Sequence, residues 1–342
     1  GVLGRKDWRA RLTCSLARSA WDQGHPSQAM TLLDSALALF RPDEQAGEIV
    51  QALLVRTGYE CEMGSLKEGL RSILRAQALL ESGRDSLLAA RVTQERAVIE
   101  AARLRVELAW RCFDEAKTLF SEHGDSQGLY MLRIKRSPLM LDTHGPRAAR
   151  KELEEIAPRL ANPRELCQAL GWIAWTWHAE GRYTEALASI LPALESAEEA
   201  GDAPALLALR LQELDSRSEL GSGEPGVARE LRESAEASTL PRLILHARRL
   251  EARLLGTQRR DEEALALLGL ALDELRLYQL EPTLILGLLL EKAEAQDRLG
   301  LAEGRRTRNL ARRSLARFAR RIRRTAARQA FLRADPIRRR LA

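Results

Sequence analysis

The chain has 342 residues, a formal net charge of +6, and a content of 45% hydrophobic but only 4% aromatic residues. Leu, Ala, Arg and Glu dominate, which favours helices, whereas the sparse β-branched and aromatic residues argue against a sheet. The longest apolar run, residues 284–290, is far too short to span a bilayer, and no apolar signal segment opens the sequence. We therefore expect an all-α, cytoplasmic protein without membrane contact, and the start at Gly1 suggests a fragment of a longer chain.

Helix start and stop signals divide the chain into helical hairpins. Asn162 followed by Pro163 is typical of a helix N-terminus, and Gly181 is typical of a turn. The predicted hairpins are 6–23 with 26–40, 43–62 with 65–82, 85–103 with 106–123, 125–143 with 146–160, 163–180 with 183–200, 203–220 with 224–237, and 240–257 with 260–277. An eighth begins near Pro282 and turns at Gly300.

A spacing of small residues recurs in these hairpins. A small residue in the first helix is followed after twelve residues by a small one in the second, then by a large apolar residue and another small one. Seven sites keep this spacing, and only Ile156 and Arg232 depart from the residue types: Ala17/Ala29/Leu33/Ala36, Thr57/Gly69/Ile73/Ala76, Ala97/Ala109/Phe113/Ala116, Ser137/Ala149/Leu153/Ile156, Ala174/Ala186/Ile190/Ala193, Ser216/Ala228/Arg232/Ala235 and Ala252/Ala264/Leu268/Ala271. We call the second residue of each site, from Ala29 to Ala264, its second-helix anchor. Successive anchors are separated by 40, 40, 40, 37, 42 and 36 residues, and a repeat of this length indicates an α-solenoid.

The fifth hairpin carries a recognisable motif. Its small, aromatic, glycine, aromatic, small, large and small residues are Ala174, Trp177, Gly181, Tyr183, Ala186, Ile190 and Ala193. This set resembles the tetratricopeptide-repeat (TPR) pattern, although the usual TPR period is about 34 residues. The longer period, near 40, is similar to TPR-like superhelices of large bacterial signalling proteins, such as LuxR-type ATP-dependent regulators and TPR-bearing kinases. The resemblance implies seven to eight antiparallel hairpins in a right-handed superhelix over residues 1–300.

Residues 301–342 differ sharply in charge from the rest of the chain. They hold fifteen Arg and only two acids, for a net charge of +13, whereas residues 1–300 sum to −7. Leu315, Phe318 and Ile322, with Ala311 and Ala326, keep a spacing of three to four residues, which predicts one amphipathic helix. We interpret this segment as an Arg-rich capping helix and tail, because a terminal repeat needs a polar outer face.

The sequence offers no recognisable catalytic or metal site. The loop 221–226 is rich in glycine but lacks the Lys-Ser/Thr of a phosphate-binding loop, and the five His are scattered. Cys14, Cys61, Cys112 and Cys167 form no close pair, which is typical of reduced, half-buried helix residues. We therefore predict a non-enzymatic protein without cofactor or metal.

The TPR resemblance also implies which residues face a ligand. In that family the first helix of each hairpin lines a concave groove, and the matching positions here are rich in Arg. The predicted ligand or partner groove contains Arg18, Arg91, Gln94, Trp175, His178, Arg210, Arg217, His246, Arg249 and Arg253. A basic groove in an acidic body would attract an acidic peptide, an acidic protein partner or an anionic effector. Alternatively, these Arg pair with Glu of the next hairpin.

Two functions remain open. The first is a protein-interaction and sensor scaffold of a larger signalling protein with a flanking effector domain. The second is a nucleic-acid-associated scaffold that contacts phosphates through the Arg-rich segment. The candidate residues for this alternative are Arg312, Arg313, Arg320, Arg321, Arg323 and Arg324.

Overall fold

The structure, a computed structural model, describes residues 2–41, 45–81 and 86–342, and this part of the chain is helical without a strand. The helices are α1 (Val2–Asp22), α2 (Pro26–Leu39), α3 (Ala46–Glu62), α4 (Leu66–Glu81), α5 (Ser86–Ala102), α6 (Val106–Glu122), α7 (Ser126–His144), α8 (Pro146–Ile156), α9 (Pro163–Glu180), α10 (Tyr183–Glu199), α11 (Ala203–Glu219), α12 (Pro225–Ser238), α13 (Pro241–Thr257), α14 (Asp261–Glu274), α15 (Pro282–Arg298), α16 (Glu303–Arg320), α17 (Thr325–Arg333) and α18 (Pro336–Leu341). The prediction of an all-α array of hairpins is confirmed.

The observed helix ends lie close to the predicted ones. Three predicted ends lie outside the described residues: the start and the end of the second hairpin, residues 43 and 82, and the start of the third, residue 85. Asn162 accepts a hydrogen bond from the backbone N–H of Arg164, as an N-cap does, and Gly181 ends α9 in the left-handed region, with φ of 82°. Helix α8 ends earlier than predicted, at Ile156, and a short 3-10 turn that contains Pro158 follows it.

The helices of residues 301–342 differ from the prediction. The single amphipathic helix is in fact α16, which ends at Arg320, followed by the short helices α17 and α18. Ile322 is fully buried in the turn between α16 and α17, whereas Ala326 is exposed and the neighbouring Ala327 is buried instead. The periodicity fails because the helix breaks between Arg320 and Thr325. The predicted boundary at residue 300 falls in the turn between α15 and α16, and the domain division stays a prediction.

The helices fall into two compact units. The first contains the chain up to Arg136 together with Gly201–Pro204, and the second contains Ser137–Ala200 and Ala205–Ala342. In the first unit, α1 packs on α2, α3 on α4, and α5 on α6. In the second, α9 packs on α10, α13 on α14, and α15 on α16, while α13 also packs on α15. Each unit is thus built from hairpins that contact the next hairpin, as in a solenoid.

The recurring small residues lie where the two helices of a hairpin pack together. Ala174 on α9 and Ala186 on α10 are fully buried, and the same is true of Ala97 and Ala109 in the third hairpin. Every residue of the seven sites is buried except Arg232, whose side chain is 19% exposed. Arg232 extends to Glu251 and Glu236 instead, with distances of 2.5 and 2.8 Å. The spacing found in the sequence therefore marks the buried positions at which the two helices of each hairpin pack together.

Replacing Ala186 with Leu should destabilise the protein by about 1–3 kcal/mol, because the added carbons have no space between α9 and α10. Ala188 lies on the same helix but is exposed, so Ala188→Leu is the matched control and should change stability by less than about 0.5 kcal/mol. Urea denaturation followed by circular dichroism measures both. Equal stabilities of the two variants would contradict the packing role of Ala186.

Candidate functional site

A buried carboxylate, Asp215 on α11, organises the first helices of the second unit. Its side chain is 2% exposed. Arg249 on α13 donates to Asp215 Oδ2 at 2.5 Å, and Arg253, one turn further along α13, donates to Oδ1 at 2.8 Å. His246 Nε2 lies 3.3 Å from Oδ2. The carboxylate therefore joins α11 to α13 through both of its oxygens.

Arg253 extends the same network to two further carboxylates. Its Nη1 also donates to Glu219 on α11 at 2.7 Å, and its Nε donates to Glu291 on α15 at 2.7 Å. Because its guanidinium group presents N–H donors in a fixed plane, one side chain can hold three acceptors at once. Arg253 thus connects three consecutive first helices, α11, α13 and α15.

These contacts set the charge states of the network. Burial alone would raise the pKa of Asp215, but the positive charges of Arg249 and Arg253 outweigh it and hold that pKa well below its ordinary 3.8. Burial lowers the pKa of His246 and of His178, which disfavours their charged forms. Two cationic arginines and three carboxylates, those of Asp215, Glu219 and Glu291, therefore leave the network with one excess negative charge when both His are neutral.

An aromatic group lies beside this network on α9. Trp175 stacks on His178 with ring centroids 5.1 Å apart and planes inclined by 5°. His178 Nδ1 in turn lies 3.0 Å from the hydroxyl of Ser216 on α11. We call the side of α7, α9, α11, α13 and α15 that carries Asp142, Trp175, Asp215, Arg253 and Glu294 the groove face of the second unit.

The C-terminal residues of the chain are seated on this groove face. Arg338 on α18 is 3% exposed and donates to Asp142 on α7 at 2.5 Å and to Thr283 on α15 at 2.8 Å. Its neighbour Arg339 donates to the backbone carbonyl of Ala179 on α9 at 2.8 Å. Residues distant in sequence therefore meet at one place, where α18 contacts α7, α9 and α15.

Apart from Trp175, which stacks on His178, the predicted groove residues of the second unit divide into two groups. Arg249, Arg253, His246 and His178 are brought together in the buried network, where carboxylates of α11 and α15 neutralise the two arginines. Arg210 and Arg217 on α11 stay exposed, with 53% and 51% of their side chains accessible. Arg217 pairs with Glu213 at 2.7 Å on the same helix. Pairing with acids of the next hairpin, the alternative left open by the sequence, therefore holds for Arg253 and Glu291.

Three predicted groove residues belong to the first unit. Arg18 on α1 and Arg91 on α5 are exposed, whereas Gln94 on α5 is 4% exposed. In this unit Glu95 on α5 pairs with Lys135, and Trp21 stacks on Tyr59 with ring centroids 3.9 Å apart. The ligand-binding role of all the predicted groove residues stays a prediction.

The arginines proposed for nucleic-acid contact are all exposed. Arg312, Arg313 and Arg320 lie on α16, and Arg321, Arg323 and Arg324 lie in the turn before α17. The arginines of residues 301–342 thus lie in two environments: these six face solvent, whereas Arg338 is buried against Asp142.

Sequence reasoning missed two residues that the site depends on. Asp215 lies one position before the template residue Ser216, at a position that the groove pattern does not include, so no signal in the sequence indicates its burial between arginines. Asp335, 2% exposed, accepts from the backbone N–H of Arg338 as the N-cap of α18, and the Asp335-Pro336 pair signals this helix start.

The part of the chain that the structure describes contains no candidate metal cluster and no candidate membrane span. Within residues 2–41, 45–81 and 86–342, no group of His, Cys, Asp and Glu side chains has the geometry to hold a metal ion. The same described residues form no helix whose length and apolar character suit a membrane span.

The solved structures to which the folded chain is similar include the following two. One is a Rap protein in complex with competence and sporulation factor, with a TM-score of 0.59, 14% identity, and coverage of 98% of this chain and 97% of that one. The other is a STAND (signal transduction ATPase with numerous domains) protein with a TPR sensor from Pyrococcus horikoshii, with a TM-score of 0.53, 12% identity, and coverage of 88% of this chain and 46% of that one. This chain thus spans about half the length of the STAND protein. No protein-family model and no curated protein matches the sequence. The predicted TPR-like fold is confirmed.

Replacing Asp215 with Asn should cost about 3–5 kcal/mol, because Arg249 and Arg253 would lose a buried counter-charge. The native pKa of Asp215 is lowered, so its ionic contribution is present above about pH 4 and is lost as the pH falls through the native pKa. The gap between wild type and Asp215→Asn should therefore narrow in acid. Urea denaturation at several pH values measures it.

The matched control is Glu213→Gln on the same helix, because Glu213 pairs with the exposed Arg217. This change should cost less than about 1 kcal/mol. A stability gap between wild type and Asp215→Asn that is no larger than this control, or that grows as the pH falls below about 4, would contradict the role given to the buried carboxylate.

Proposed function

We propose that this chain is a non-enzymatic protein-interaction and sensor scaffold of a larger cytoplasmic signalling protein. Its groove face in the second unit would receive a polypeptide segment. The observation that carries the proposal is that α18 is seated on Asp142, Ala179 and Thr283, so this surface already binds a polypeptide segment with backbone and side-chain hydrogen bonds.

Two further observations support a binding role. Similar solved folds include a Rap protein in complex with competence and sporulation factor and a STAND protein with a TPR sensor. The fold alone does not assign a partner, because one scaffold serves many functions. The first helices of the second unit nevertheless carry the half-buried Trp175 and the exposed Arg217, and aromatic and arginine side chains are enriched where proteins bind one another.

The acidic partner expected from the sequence now depends on fewer residues. Arg249 and Arg253 already pair with buried Asp215 and Glu291. The exposed Arg210 and Arg217 pair only with surface carboxylates, those of Glu198 and Glu213, from which an anionic guest would have to draw them. An acidic segment that lies along α11 remains a proposal based on these two side chains.

Site-specific photo-cross-linking tests the scaffold proposal. A benzophenone amino acid at position 217, on the groove face, should yield a defined cross-linked protein or peptide in the native cell, identified by mass spectrometry. The same probe at position 188, exposed on the second helix α10, should not. If an acidic partner is involved, Arg210→Glu should lower the yield from position 217 at least several-fold.

Circular dichroism must show that each labelled chain keeps its helical content. Cross-links of equal yield from positions 188 and 217, or none from the groove face, would reject the proposed binding surface.

The alternative, nucleic-acid contact, is favoured by one observation: the exposed arginines of α16 and of the following turn. If they hold phosphates, a DNA of about 20 nucleotides should bind with an affinity that falls steeply with salt. Arg312→Glu with Arg313→Glu should then abolish binding and leave cross-linking from position 217 unchanged. Binding that is independent of salt, or unaffected by these changes, would reject this alternative.

A further inference from the structure

The C-terminal segment, defined here as residues 325–341, meets the groove face through three consecutive arginines. Arg338 pairs with Asp142 on α7, Arg339 donates to the carbonyl of Ala179 on α9, and Arg340 pairs with Glu294 on α15. Each arginine therefore has its own acceptor on a different first helix. Three separate acceptors distinguish a binding site for a basic segment from a single accidental ion pair. We call this site, formed by Asp142, Ala179, Thr283 and Glu294, the seat.

Arg338 is the most completely held of the three. Besides Asp142, its guanidinium group contacts Thr283 at 2.8 Å and the backbone carbonyl of Phe331 at 3.3 Å. It also lies 4.1 Å from the centre of the Phe331 ring, a cation–π contact. Asp335, within the segment, completes the shell at 2.9 Å. Because isolated buried charge is costly, this shell is what permits the arginine to be almost completely buried.

Apolar side chains anchor the same segment. Ala334 shares one buried cluster with Leu141 and Ala179, and the half-buried Trp175 packs against that cluster. Ile337, 9% exposed, lies over Gly287 of α15, where a β-carbon would come within 3.2 Å of it. The same β-carbon would come within 2.9 Å of Arg249 Cδ, so glycine at position 287 gives room to both the Arg249 and the Ile337 side chains. The seat thus combines an apolar floor with acidic walls.

The charge of the seat favours a basic occupant. The carboxylates that it contributes are those of Asp142 and Glu294, with Glu291 close behind Glu294 in the network of Arg253. The neighbouring network already has one excess negative charge, so it leaves no unpaired cation for an acidic guest. An arginine-rich segment therefore complements this part of the groove face in both charge and shape.

We propose that this seat is a binding site for an arginine-rich polypeptide segment with an apolar residue beside the arginines. Residues 325–341 occupy the site in cis, and a partner segment of the same chemistry binds by displacing them. This inference specifies the ligand class of the proposed scaffold function and rests on that function. It also makes the C-terminal segment a regulator of partner access.

The probe is a fluorescein-labelled peptide with the sequence of residues 325–342, and fluorescence anisotropy measures its binding to the full chain. The wild-type chain should bind it weakly, because its own segment fills the seat. Arg338→Asp should release that segment through repulsion from Asp142 on α7, and should tighten peptide binding at least tenfold. Arg313→Asp makes the same charge change on the exposed face of α16 and should bind like wild type.

A charge exchange tests the specificity of the seat. The Asp142→Arg chain should bind a peptide that carries Arg338→Asp and should reject the wild-type peptide. Should Arg338→Asp fail to fold by circular dichroism, Arg340→Asp replaces it, because Arg340 is half exposed and its loss should be tolerated.

Folded variants that bind no peptide, or Arg313→Asp and wild-type chains that bind it as tightly as Arg338→Asp, would overturn the proposal. The cross-linking from position 217 does not use this peptide. Retained cross-linking with failed peptide binding would therefore reject the basic ligand and leave the scaffold function standing.

Discussion

The arrangement of helices in the second unit depends on one buried carboxylate, whose charge must be neutralised because burying it away from water costs free energy. Asp215 is buried among α11, α13 and neighbouring side chains, and an unpaired charge there would be worth several kcal/mol of destabilisation. Arg249 and Arg253 meet this cost together, and Arg253 carries the constraint to Glu291 on α15. The positions of three consecutive hairpins are thereby fixed by directional bonds in addition to the small residues at each crossing. Packing of alanines alone would tolerate small shifts between hairpins, whereas a guanidinium group bound to three carboxylates tolerates fewer.

The fold could be predicted from the sequence because its determinants are local and repeated. The step of 40 residues between the second-helix anchors Gly69, Ala109 and Ala149 reports the packing of one hairpin against the next, and all three positions are buried. Proline and glycine at the helix ends then limited the boundaries to within a few residues. The prediction failed where local periodicity ended: the segment after Arg320 turns twice and takes its positions from Asp142, Ala179 and Glu294, which no spacing within the segment can indicate.

The candidate site was only partly predictable for a related physical reason. The template placed Arg249, Arg253, His178 and Trp175 on one face, and they do lie together. Their charge balance could not be inferred, because the counter-charges Asp215 and Glu291 lie on other helices, at positions that the family pattern does not include. A count of arginines on one face therefore overestimated its positive potential. In a helical repeat the sign of a groove is a property of neighbouring hairpins together, since each can supply the partner of the next.

The C-terminal segment is covalently connected to the surface that it occupies, and this connection raises the concentration at which a partner can displace it. A tethered segment competes at an effective concentration of about millimolar, independent of how much protein is present. A free partner of equal intrinsic affinity would therefore need to reach about that concentration to fill half of the sites. A partner of weak affinity therefore does not displace the segment, whereas a much tighter or multivalent partner does. The contacts of Arg338 and its neighbours set the affinity that a partner must exceed.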